Sequence, residues 1–158
     1  MAIYMDYDGI KGDVSEENHK EWIPLSSISF SASREAGTAV GKGEERQGTQ
    51  VTINDISIIK PMDAASPHLF TQSVVGLGKE VKIHITRTGE KEQTNYLEIT
   101  LDKCCVTRYG INTDGVRHTE SLTLNFLKIS FGYIPVKEDG SPGDRIPVNF
   151  DIATGVAG

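Results

Sequence analysis

The chain has 158 residues, a formal net charge of −6, 37% hydrophobic and 24% charged residues, which together describe one folded domain rather than a disordered segment. A mean hydropathy of −0.29 and a pI near 5.2 argue against nucleic acid as the main partner, because that usually demands a basic face. No apolar run approaches the ~20 residues needed to span a bilayer. Sixteen glycines against six prolines point to many turns, and so to many short strands rather than a few long helices.

Residues 2–8 alternate, with Ile3, Met5 and Tyr7 on one side, and the strand ends at the turn dipeptide Asp8-Gly9. Residues 13–21 are polar and read as a loop, and residues 22–33 as a second strand. Residues 34–49 hold four glycines without periodicity and read as a long surface loop. Residues 50–60 form a third strand. One short α-helix is predicted over about 67–75, with Ser66 as N-cap, Pro67 at the first position and Gly76 as C-cap. Leu69, Phe70, Ser73 and Val74 would share its packed face. Residues 80–87 alternate cleanly, placing Val81, Ile83 and Ile85 inward and His84 outward. Residues 94–108 and 119–135 read as long strands, and 148–152 as a last short one.

In four of these strands the apolar set changes parity part-way. Leu97, Ile99 and Leu101 give way to Cys104 and Val106, and Leu122, Leu124 and Phe126 to Leu127, Ile129 and Phe131. Ile23 and Leu25 give way to Ile28 and Phe30, and Val51 and Ile53 to Ile56 and Ile58. A period-2 strand cannot change face without a bulge, unless both of its faces are covered. The expected fold is therefore mainly β: a closed or nearly closed antiparallel β-barrel with one helix, one domain over 1–158, and a tendency to self-associate.

Chemistry-bearing motifs are sparse. Gly76-Leu77-Gly78-Lys79 looks like part of a phosphate loop but follows a helix and precedes a strand, the wrong context. Asn112, Asp114 and Gly115 look like the start of a calcium loop without its closing glutamate. His19, His68, His84 and His118 lie on separate elements and read as solvated side chains. Cys104 and Cys105 are strand neighbours facing opposite ways, hence two reduced thiols. No catalytic, metal or cofactor site is expected, and the chain is not read as an enzyme. Trp22 reads as a core or interface anchor. Gly43, Glu44, Glu45, Arg46 and Gln47 are either a solvated loop tip or a contact between subunits. The start, MAIYMDYDG, lacks the basic and apolar regions of a signal peptide, so the expected location is the cytoplasm.

Taken in order, several stretches resemble the Hcp family, the tube protein of bacterial type VI secretion systems. They are Tyr7 to Asp13, His19 to Phe30, and above all Val51 to Leu69 (VTINDISIIKPMDAASPHL), which is similar to the family's strand, turn and Ser-Pro-capped helix. Glu120 to Ile129 and Phe150-Asp151-Ile152 resemble its last strands. Two places depart from it: Tyr109 to Arg117, where many members carry a glycine-rich run, and Cys104-Cys105, where aliphatic residues are common. The resemblance implies a barrel with one helix that forms homohexameric rings. Rings would stack into a tube within a contractile sheath, carry a VgrG spike and effector proteins, and leave the cell without a signal peptide. Competing readings are a β-barrel module binding a small ligand or carbohydrate, a hydrolase-like enzyme, and a phage tail-tube protein.

Overall fold

A computed structural model describes residues 1–36, 48–89 and 93–157. In chain order the strands are β1 (Ala2–Tyr7), β2 (Ile23–Leu25), β3 (Ser27–Ser29), β4 (Ala32–Ala36), β5 (Gly48–Ile53) and β6 (Ile56–Pro61). The helix α1 (Ser66–Val75) follows, then β7 (Lys79–Thr88), β8 (Gln93–Thr113), β9 (His118–Asn125), β10 (Lys128–Tyr133), β11 (Ile146–Asp151) and β12 (Val156–Ala157). Among the described residues the fold is mainly β with one α-helix, and every strand pairing is antiparallel.

The 21-residue β8 is the hub. Its first half pairs β7 on one edge and β10 on the other, so Leu101 lies opposite both Val81 and Ile129. From Cys105 onward its partner is β9. One series of neighbours runs β12-β11-β10-β8-β7-β1-β2, and another runs from β8 through β9 and β6 to β3. β4 and β5 pair with each other as a separate ribbon, so the ends of the 34–49 segment are strand rather than loop.

The parity switches have two causes. In three segments the strand ends: at Ser26 and again before β4, at Asn54-Asp55 between β5 and β6, and at Phe126-Leu127 between β9 and β10. In the fourth the strand continues, but Lys103 adopts φ 50°. That left-handed residue turns the chain by one side-chain position, so Ile99 and Leu101 are buried before it and Cys104 and Val106 after it.

The core joins Met5 and Tyr7 of β1, Ile23, Ile56, Ile58, Val81, Ile83, Leu101, Leu122 and Leu124 with Leu69 of α1. The helix differs from the sequence expectation in three respects. Ala65, not Ser66, precedes its first residue, and Ser66 makes no capping hydrogen bond. Gly76 ends it in extended backbone (φ −70°, ψ 144°) rather than the left-handed form. Of the expected packed face only Leu69 is buried, while Phe70 and Val74 are exposed.

Replacing Lys103 by valine should cost about 1–2 kcal/mol, because a β-branched residue fits left-handed backbone poorly, although its strand propensity is higher. Lys103→Gly should be tolerated. Urea unfolding of the two variants checks this; equal midpoints would show that the turn in β8 is not made at Lys103.

Candidate functional site

Two polar clusters and two apolar faces stand out. The first cluster forms where residues 10–22 fold back over β1 and β7. Gly9 takes φ 82° to turn the chain. Gly12 then passes so close to the next strand that a Cβ there would lie 2.5 Å from the Trp22 carbonyl oxygen. Backbone hydrogen bonds from Gly12 N–H to the Glu21 carbonyl (2.8 Å) and from Val14 N–H to the Trp22 carbonyl (3.0 Å) hold the fold-back. His19 is thereby delivered onto the sheet, and it is buried rather than solvated.

There the His19 ring lies against Tyr4 of β1, with centroids 4.8 Å apart. It meets Trp22 edge to face at 4.7 Å. Its Nδ1 hydrogen-bonds the Glu16 carboxylate. Its Nε2 lies 3.0 Å from Nδ1 of His84, which also receives the Asn95 amide at 3.1 Å. The other nitrogen of His84 faces Glu98 at 3.5 Å. Burial raises the Glu16 carboxyl, but hydrogen bonds from the His19 ring and the Asn18 backbone outweigh it and hold it low. Burial, and then the charges of His19, Lys82 and Arg145, pull His84 down from 6.5 to about 4. Trp22, expected as an anchor, is half-buried against both histidines. The other expected contact residues, Gly43, Glu44, Glu45, Arg46 and Gln47, lie outside the described residues.

The second cluster sits under α1. Lys60 of β6 and Glu120 of β9 are directly opposite each other and fully buried. The Lys60 ammonium donates to the Glu120 carboxylate at 2.9 Å, to Asp63 at 2.9 Å and to the Pro61 carbonyl at 2.8 Å. The Ser66 hydroxyl donates to Glu120 and accepts the Asp63 N–H at 2.9 Å, and Asp63 accepts the Ala65 N–H at 3.0 Å. Ser66 therefore ties the start of α1 into the sheet instead of capping the helix. The Tyr109 phenol beside them is pushed up, first by burial and then by Glu120 and Asp63.

The apolar faces lie elsewhere. On and just after α1, Phe70, Val74, Val75 and Leu77 face outward, with Leu77 79% exposed. On β11, Ile146 and Val148 share one outward side, and Tyr133 pairs with Ile146 from β10. Clusters of large exposed apolar side chains mark interaction surfaces.

The family described as "Type VI secretion system effector, Hcp" matches residues 4–133, most of the chain. The chain belongs to the Hcp family. Protein hcp1 of Pseudomonas aeruginosa is 28% identical over 153 residues, covering 95% of this chain and 93% of that one. A solved type six secretion system protein matches with a TM-score of 0.91 at 20% identity, covering 99% of both chains. Hcp1 from Salmonella typhimurium matches with a TM-score of 0.78 at 19% identity, covering 99% of this chain and 97% of that one. This Hcp chain is thus a tube-forming protein of type VI secretion. Among its described residues, no helix is long and apolar enough to cross a membrane.

Sequence reasoning passed over both clusters. Lys60 shares the parity of buried Ile56 and Ile58, and Glu120 that of buried Leu122 and Leu124, so alternation alone points both inward. For His19 no such signal exists, because its burial depends on the loop crossing at Gly12.

Removing one member of the buried pair strands the other, so Lys60→Ala should cost about 3–5 kcal/mol. The double change Lys60→Met with Glu120→Leu should recover part of that loss in denaturant unfolding, the remainder being the Asp63 carboxylate left without its cation; a double variant as unstable as the sum of the singles would refute the pairing. For His84 the sign runs toward acid sensitivity. The folded chain resists a proton that the unfolded chain accepts, so its contribution is complete above pH 6.5 and is lost as pH falls through about 4. The loss should reach about 3 kcal/mol and be missing from His84→Gln, as measured by urea unfolding across that window. Parallel pH profiles for the two proteins would refute it.

Proposed function

We propose that this Hcp chain closes homohexameric rings that stack head to tail into the secretion tube, and that its work is mechanical rather than catalytic. The observation that carries this reading is the presence of two unlike apolar faces, one along α1 and one on β10–β11. A ring needs a heterologous contact, in which one patch of a subunit meets a different patch of the next, and stacking extends the ring into an open filament. Six chains at −6 each would carry −36 as a ring, which favours solubility before assembly.

We infer further that the sheet wraps into a barrel. The strand neighbours lead from β8 through β9 and β6 to β3, and from β8 through β7 and β1 to β2. β2 and β3 are consecutive, joined by Ser26, whose N–H donates to the Ile59 carbonyl of β6 at 2.7 Å. The β4–β5 ribbon leaves this body at Ser31 and Asn54, where Asn54 N–H donates to the Ser31 carbonyl at 3.1 Å. Its length supports a role for Gly43 to Gln47 as a contact with a neighbouring subunit or ring, and Trp22 is the second contact residue in this reading. By family membership the partners are further copies of the chain, a VgrG spike, a contractile sheath and effectors carried within the ring. The chain is cytoplasmic before assembly and is then exported by the contractile machine. Nucleic acid has no place in this reading, given the acidic charge.

Light scattering should give a particle near six times 17.3 kDa, with a central hole in negative-stain electron microscopy. Replacing residues 37–47 by a short turn should lower that mass while far-UV circular dichroism stays unchanged. A monomer at working concentration would overturn the ring, and full assembly of the shortened chain would overturn the contact role of that segment.

A further inference from the structure

The His19–His84 contact has a property that the tube role does not use. The 3.0 Å line between His19 Nε2 and His84 Nδ1 has room for one hydrogen. If both rings were imidazolium, two N–H groups and two positive charges would face each other along it. The surroundings leave little room for relief. From the loop come Glu16 and the Trp22 ring, from β1 the Tyr4 ring, from β7 Lys82, from β8 Asn95 and Glu98, and ahead of β11 Arg145. The two carboxylates sit at the outer nitrogens, and neither lies between the rings. Lys82 and Arg145 add positive charge beside His84.

We propose that the His19–His84 hydrogen bond is an acid-released latch, which fixes the Val14–Trp22 loop on the β1–β7 face until a second proton enters the pair. Its mechanism is an electrostatic event with a local mechanical result. With one shared hydrogen, the buried His19 ring anchors the loop and presses Trp22 against both imidazoles. With both rings charged, repulsion drives His19 out, and Trp22 leaves with it because the Trp22 N–H is bonded to the His19 carbonyl at 3.0 Å. The latch stands independently of any assembly role. Its consequence for the ring rests on the proposed reading of Trp22 as a contact residue.

Trp22 is the sole tryptophan of the chain, so its fluorescence reports the latch directly. Acidification of the full-length protein should shift Trp22 emission to longer wavelength with a midpoint near 4, the value at which His84 gains its proton, while the far-UV sheet signal persists. His84→Gln and His19→Gln should each abolish the transition. Should either variant fail to fold, proton NMR of the native chain gives the same information, because the His84 ring and Trp22 indole signals must then shift together with a midpoint near 4. Emission that stays constant while the sheet persists would overturn the latch. So would a transition that survives in His84→Gln, or one that coincides with loss of the sheet signal. Light scattering over the same titration separates the two readings. An emission shift with loss of ring mass supports the latch together with the Trp22 contact. An emission shift with unchanged mass supports the latch and overturns the contact.

Discussion

The geometry of β8 at Lys103 governs the rest of the molecule. A strand of 21 residues can serve two sets of neighbours only if its inward side chains change parity where the neighbours change. The φ of 50° at Lys103 makes that change within a single residue, at the cost of placing a side chain in backbone that favours glycine. Before it, β8 is flanked by β7 and β10; after it, β8 turns to β9. β9 and β10 end and restart at Phe126-Leu127, beside the same place, because Leu127 N–H donates to the Asp102 carbonyl at 3.1 Å. The two breaks form one corner, in which each long segment re-aims its side chains opposite the other.

The buried Lys60–Glu120 pair supplies a second constraint, on register rather than on net stability. Buried ion pairs repay their desolvation poorly, and an apolar replacement is often as stable. What this pair does supply is a penalty for misalignment. Sliding β6 by one residue against β9 would separate a buried ammonium from its carboxylate and turn Ile56 and Ile58 outward. Because Ser66 and Asp63 join the same cluster, the register of the sheet also sets where α1 starts. The outward apolar face of α1 is positioned by this buried charge.

Much of this was legible in the residues. The alternation in β1 and through Val81 and Ile83 of β7, the helix start near Ser66-Pro67 and all four parity switches lie on the surface of the sequence, whereas Ile85, expected inward, gives way to buried Thr86 where the register shifts. A switch reports a change of face, however, and not whether the strand ends or bends. Lys103 and Asn54-Asp55 produce the same pattern by different backbone means. The Lys60–Glu120 pair follows from parity once the rule that charges face water is relaxed for opposed partners. His19 and His84 were illegible for a stronger reason. His84 does face the polar side of β7, as alternation requires, but a loop 65 residues earlier in the chain covers that side. Only the three-dimensional crossing at Gly12 decides it.

The division between polar interior clusters and apolar exterior faces bears on how such a chain can assemble. A subunit that pairs by a two-fold axis needs one self-complementary patch, whereas a closed ring needs two unlike patches. Here the exposed apolar residues fall on separate elements of different kinds: a helix face with Phe70 and Val74, and a strand face with Ile146 and Val148. The Lys60–Glu120 cluster lies under the first of these faces and fixes where α1 starts, so the proposed contacts would form on elements whose placement the fold has already set. The loop held by His19 differs in this respect. It joins the exposed side chains around Trp22 to a titratable pair inside, which makes it the place where a change of solution conditions could reach the surface without first unfolding the sheet.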